Sequence, residues 1–250
     1  MAPLDQLEHD QQPFRVHLTG FGPFGPHAVN ASWETVRPLD GTVLDEPPTF
    51  PGAPPPYIAQ TASRRRRPVH LSTSLLSVKY STVLSSVPAL HALDTDSARP
   101  PYDLVIHCGV SGDDRAVRLE QRARKFGYDK EDVERELAPR AADGRRGFSG
   151  ERWAACPEEL RTTVNAARVS QCARNRGVEH LSPSQDAGLY LCEFSLYASL
   201  ASAQLRNPDR PTPVLFVHVP PLDTPYSADE LTAAMRIIVW AIVNEGGLDS

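Results

Sequence analysis

Tyr102-Asp103-Leu104-Val105-Ile106-His107-Cys108-Gly109-Val110-Ser111-Gly112 is the stretch that decides the fold. Its short, continuously apolar centre predicts a buried strand over Tyr102–Gly109, and the turn Gly109-Val110-Ser111-Gly112 closes it. Upstream the same unit recurs. Arg15–Thr19 reads as a first strand running into Gly20-Phe21-Gly22-Pro23-Phe24-Gly25, where three glycines and a proline exclude regular structure. A helix follows, capped at Asn30 or Ser32, carrying Trp33 and Val36 and stopping before Pro38. Val69–Val78 predicts another strand and Tyr80–Leu93 a helix broken at Pro88. Strands alternating with helices, each strand closed by a glycine turn, predict an α/β fold with a mixed, mostly parallel sheet covered on both faces. Ligands in such folds sit outside the carboxyl ends of the strands.

The second half continues the pattern. Arg115–Ala123 alternates, with Val117 and Leu119 on one face and Arg118 and Glu120 on the other. Residues 127–150, charged and poor in aliphatics, read as a mobile excursion. Pro157-Glu158-Glu159-Leu160 predicts the opening of a helix through Val164, Ala167 and Val169 to Gly177, followed by a short strand near Val178–Leu181 that Pro183 limits. Pro213–Pro221 is apolar throughout, hence an interior strand, with His218 at its carboxyl end. The last helix opens with a capping box, Ser227 to Glu230, and carries Leu231, Met235, Ile238 and Ile242 at helical spacing, with Trp240 as core. Residues 1–13 read as a disordered tail and 14–246 as one domain. The domain is interrupted at about 45–68 by a Pro-rich run ending in Arg64–Arg67, a surface insertion with no packed element.

At 250 residues, with a formal net charge of -5, the chain has room for a large core and no general attraction for nucleic acid or anionic membrane. No stretch has the length of a membrane span, and Met1–Gln12 is too polar for a signal peptide. Cys108, Cys156, Cys172 and Cys192 are too few and too irregularly spaced for a disulfide framework or a zinc site, so free thiols in a reducing cytoplasm are expected. The arginine run fits a targeting or acidic-partner patch, but a solvated loop more simply.

Chemistry concentrates in Ser184-Gln185-Asp186-Ala187-Gly188-Leu189-Tyr190-Leu191-Cys192-Glu193-Phe194. Cys192 falls where a loop becomes an amphipathic helix with Leu196, Leu200 and Ala203 on one stripe, and the positive end of a helix favours thiolate over thiol. A lone cysteine fits inert packing as well, so the reading needs partners. Acyl transfer asks for a base and a group to orient it, and His218 and Glu120 are the candidates at the same sheet edge. Glu120 also fits an ordinary exposed carboxylate, or one screened by Arg122 and Arg124. His107 reads as a structural residue at a strand end, and Cys108 as the remaining thiol nearest the site. Gly20–Gly25 lacks the spacing of a dinucleotide fingerprint, and by itself fits a turn whose two phenylalanines pack inward.

Four blocks, in order, together resemble the pyroglutamyl-peptidase I family of cysteine peptidases. They are Leu18–Gly25 with Val29–Glu34, His107–Gly112 with Leu119–Arg122, Ser184–Phe194, and Phe216-Val217-His218-Val219-Pro220-Pro221-Leu222. The resemblance implies a three-layer α/β/α sandwich of the phosphorylase/hydrolase-like type. It implies Cys192 as nucleophile, His218 as base and acid, and Glu120 as the group that orients the imidazole. It assigns Phe21, Phe24, Val110 and Tyr190 to the pyroglutamyl pocket and Asn30 to a supporting polar contact. The substrates implied are peptides blocked by N-terminal pyroglutamate, with no metal or organic cofactor, and the enzyme would be a monomer or small homo-oligomer. A flat, neutral lactam suits aromatic walls and backbone donors. The chain departs from the family in the 45–68 insertion, in Tyr190 where phenylalanine is common, and after Tyr128, where no oxyanion-stabilising arginine is assignable. A cysteine amidase of other acyl specificity, or an inactive binding protein on the same fold, remain the alternatives.

Overall fold

Seven strands form one sheet in the order β2-β3-β1-β4-β9-β5-β8 in the computed structural model, which describes residues 13–24, 29–53, 66–92, 101–112 and 115–248. The strands are β1 (Phe14–Phe21), β2 (Val43–Leu44), β3 (Val69–Leu76), β4 (Leu104–Val110), β5 (Val117–Glu120), β8 (Leu181–Ser184) and β9 (Val214–Val219). β3, β1, β4 and β9 run parallel, β2 pairs antiparallel at one edge, and β5 with β8 run antiparallel to β9 at the other. The mixed, mostly parallel α/β sheet expected from the alternation of elements is therefore present. Among the described residues no helix is long and apolar enough to cross a membrane.

Side-chain alternation along the strands splits the core in two. On one face Leu18, Ile106, Cys108, Leu215 and Val217 pack with α1 (Ala31–Val36), α3 (Ala166–Arg174) and α5 (Ala228–Asn244). On the other face Phe21, Val105, Val214 and Phe216 pack with α2 (Tyr80–Leu90) and α4 (Leu191–Arg206). Two elements start where their sequence signals say. Asn30 caps α1 by accepting from the Ser32 N–H at 3.0 Å, and Ser227 and Glu230 form a complete capping box on α5. Gly20 lets α1 close on β1, because a Cβ there would lie 2.8 Å from the Trp33 Cα.

Five expectations change. The helix predicted from Pro157 begins only at Ala166, capped by Asn165. Before it, β7 (Glu159–Arg161) pairs with β6 (Arg122–Arg124), since the β-branched run Thr162-Thr163-Val164 resists helix and the Thr162 hydroxyl bonds the Val214 carbonyl. Residues 127–150 are not a mobile excursion, for Tyr128, Ala138 and Phe148 are fully buried. Two large aromatic side chains and one small apolar one anchor a segment whose average composition is polar. Helix α2 passes through Pro88 and stops at Leu90. In the insertion, the stretch before the arginines packs after all: Phe50 is buried against Tyr226 with ring centroids 5.6 Å apart. The remainder, 54–65, and the predicted tail lie outside the described residues, and the last strand before the cysteine loop is Leu181–Ser184 rather than Val178–Leu181.

Candidate active site

The sheet's change of direction builds the site. β9 lies between parallel β4 and antiparallel β5, and Arg118 stands opposite His218 while Glu120 stands opposite Phe216. Glu120 and His218 are thus diagonal neighbours on one face, within reach of long side chains. Glu120 Oε1 meets His218 Nδ1 at 2.9 Å, with both residues buried. The carboxylate fixes the ring and leaves Nε2 as the nitrogen to face the third member.

That member arrives from α4. Gly188, with φ +74°, turns the chain, Tyr190 occupies the cap position in extended conformation, and Cys192 falls in the first helical turn, partly exposed. His218 and Cys192 are in hydrogen-bond contact. Burial alone would lower the His218 pKa, but the negative charge and hydrogen bond of Cys192, then those of Glu120, outweigh it and raise it to about 10. The ring is held between two acids. Gly109 completes the fit, because a Cβ there would lie 3.0 Å from Cys192 Sγ and 2.6 Å from the Phe216 ring.

The aromatic turn sits beside this constellation. Phe21 is buried at the end of β1, with its N–H bonded to Ser32 Oγ at 3.0 Å, and Phe24 packs half-buried on the same face as α4. Asn30 donates from Nδ2 to the Gly22 carbonyl at 2.9 Å while its oxygen accepts from Ser32, so its amide braces the turn that carries both phenylalanines. Tyr190 stands edge-on to Tyr80 at 6.3 Å, and its hydroxyl donates to the Glu131 carbonyl at 3.2 Å. This bond supplies the partner that a tyrosine in place of phenylalanine requires. Val110 differs from the rest, for its side chain packs on the opposite face of the sheet, which leaves its backbone as the part available to a ligand.

His107 is a structural residue, with Nδ1 2.8 Å from the Thr19 hydroxyl, and Cys108 is buried with its thiol pushed up by burial and by the charge of Cys192. The two arginines near Glu120 in the sequence take other carboxylates as direct partners. Arg122 pairs with Glu159 at 2.7 Å, and Arg124 takes Glu193, the residue after Cys192. Two features escaped the sequence reading: the steric gap at Gly109 and the Arg124–Glu193 pair. The first had a signal, a glycine closing a buried strand. The second had none, its partners being far apart in the chain.

No protein-family model matches the chain. Curated relatives do. It is 33% identical over 233 residues to pyroglutamyl-peptidase 1 of Rattus norvegicus, covering 92% of this chain and 90% of that one. It is 32% identical over the same length to the Homo sapiens protein of that name. A pyrrolidone-carboxylate peptidase of Bacillus licheniformis is 26% identical over 82% of this chain and 78% of its own. Among solved structures, pyroglutamyl peptidase I of Bacillus amyloliquefaciens superposes with a TM-score of 0.70 at 19% identity, covering 95% of this chain and all of that one. Fold and sequence agree: the chain belongs to the pyroglutamyl-peptidase I family.

Proposed function

We propose that this chain is a cysteine exopeptidase that removes N-terminal pyroglutamate from peptides through a thioester acyl-enzyme. The observation that carries the proposal is the hydrogen-bonded order Cys192, His218, Glu120 at the mouth of an aromatic turn. The Cys192 thiolate attacks the carbonyl that joins pyroglutamate to the next residue. The first-turn N–H groups of α4, which have no acceptor within the helix, are the donors we assign to the developing oxyanion. The His218 imidazolium gives its proton to the leaving amine nitrogen as the C–N bond breaks. Water then adds to the thioester with its proton passing to His218, and the C–S bond breaks to release pyroglutamate. General acid–base transfer of this kind contributes about 10²–10⁴-fold. Glu120 neither gives nor takes a proton; it holds the tautomer and the charge.

The pyroglutamyl ring has lost its amino charge, so Phe21, Phe24 and Tyr190 suit its faces and the backbone at Gly109–Val110 suits its lactam edge. The substrates we assign are peptides blocked by pyroglutamate, acted on in the cytoplasm by residues 14–246 as one domain. The four cysteines are all free, which fits a reducing compartment.

Release of a fluorescent amine from a pyroglutamyl amide, run beside prolyl and glutaminyl amides and repeated with Cys192→Ala, tests this. Cleavage confined to the pyroglutamyl substrate and abolished in the variant supports it. A folded, reduced protein that cleaves none of the three, or all equally, refutes it.

A further inference from the structure

Glu193 follows the nucleophile directly, its side chain is only 1% exposed, and it lies in the first turn of α4. A buried carboxylate beside a cysteine that must ionise is a poor arrangement, because like charges oppose each other at low dielectric. Arg124 resolves it. Its Nε lies 2.6 Å and its Nη2 2.7 Å from the two Glu193 oxygens, and its backbone N–H donates to Oε1 at 2.8 Å. The same Nη2 reaches Asp186 Oδ1 at 2.5 Å, in the loop that delivers the chain to Cys192. Arg124 ends β6, four residues beyond Glu120 at the end of β5. One guanidinium therefore ties the nucleophile's helix and its approach loop to the segment that carries the acid of the triad.

We propose that Arg124 is a positioning residue for the reaction: it clamps the start of the nucleophile helix through Glu193 and cancels the charge of that carboxylate at Cys192. The inference rests on the reading of Cys192 as nucleophile and goes beyond it. The other groups that act on or face Cys192 are His218 of β9 with Glu120 of β5 behind it, and Tyr190 ahead of the helix, itself against Tyr80 of α2, while Cys108 of β4 lies on the opposite face of the sheet. Of these, Glu120 is already spent on His218. Arg124 is the cation that faces Glu193, and the strength of that bond, the largest influence on it, raises the guanidinium pKa further.

The test is the rate at which iodoacetamide alkylates Cys192, followed on its own proteolytic peptide by mass spectrometry from pH 6 to 9. Arg124→Met leaves the carboxylate uncompensated and slows Cys192 on the order of tenfold near pH 7.5, a deficit that closes at alkaline pH. Glu193→Gln keeps an acceptor for Arg124 but removes the negative charge, and speeds Cys192 about threefold. The double variant returns to within about twofold of the parent. A residue that merely held the fold would slow Cys192 in both single variants, and that result, or an unchanged rate in Arg124→Met, overturns the proposal. Should Arg124→Met not fold, Glu193→Gln decides alone: a slower or unchanged rate refutes the charge argument. Alkylation does not depend on the acyl group, so these outcomes stand apart from whether pyroglutamyl amides are cleaved.

Discussion

Lowering the pH should unfold this protein well before its carboxylates are neutralised. Burial lowers the pKa of His17 to about 4, of His91 to about 4 and of His107 to about 3, from an ordinary 6.5. All three are buried and engaged as neutral rings: His17 with the Ser72 and Ser74 hydroxyls, His91 with Ser199 on α4 at 2.7 Å, and His107 with Thr19. Their folded-state pKa values are depressed, so below pH 6.5 the unfolded chain binds more protons and stability falls with pH until about pH 3–4. At pH 5 each site costs about 2 kcal/mol, and the three together cost roughly 5 kcal/mol between pH 7 and pH 5. His218 does not offset this, because its raised pKa of about 10 makes a contribution that is already complete below pH 6.5 and is lost only on the alkaline side. A loss of that size matches a large part of a typical total of about 5–15 kcal/mol. Urea unfolding at pH 7, 6 and 5 reads it directly, and His91→Gln, which keeps a partner for Ser199, should remove about a third of the pH dependence. A change below about 1 kcal/mol between pH 7 and pH 5 would mean that the three rings are not held neutral.

Two further outcomes concern the site. Gly109→Ala puts a Cβ into Phe216 and against Cys192 Sγ. Stability should fall by about 1–3 kcal/mol, and kcat by roughly 10²-fold as the sulfur is displaced; thermal melts and steady-state kinetics check both, and parent-like kcat refutes the fit. Glu120→Gln removes one of the charges that raise His218 above the usual histidine range. Its kcat should fall roughly 10²–10⁴-fold, and the alkaline limb of the rate profile, where the imidazolium loses its proton, should move to lower pH. An unmoved limb would show that Glu120 does not sustain that charge.

The centre of the sheet was legible because β4 and β9 are short, nearly continuous apolar runs and β1 and β4 end in glycine turns, which few other structures accommodate. Cys192, His218 and Glu120 were legible as residue types at element ends, but their contact was not, since it depends on β5 running antiparallel to β9. Local sequence does not encode that pairing. The same gap explains the misread helix at Pro157, where a proline and two acids mimic a helix start but tertiary pairing with β6 prevails. Asn30 was legible: it makes the cap with Ser32 that the sequence offered, and the polar contact that the resemblance implied goes to the Gly22 carbonyl. Averages mislead most in residues 127–150, where a mainly polar segment is fixed by a few buried side chains.

That segment bears on catalysis. Helix α4 is buried almost all round as far as Ala203, unlike a surface helix with one apolar stripe, so a third cover is needed besides the sheet and α2. The polar segment supplies it. Phe194, two residues after Cys192, stacks on Phe148 at 4.1 Å and meets Tyr128 edge-on at 5.0 Å and Tyr80 at 4.8 Å. Aromatic contacts of this kind add about 0.5–1.5 kcal/mol each beyond burial, but their directionality matters more here than their energy. A ring held by three others in fixed orientations fixes the backbone that bears it. With Gly109 admitting the sulfur on one side and Glu193 clamped on the other, Cys192 is placed against His218 before any substrate arrives. In the reaction proposed for this site, the cost of ordering the reacting groups is therefore met in folding rather than in the catalytic step.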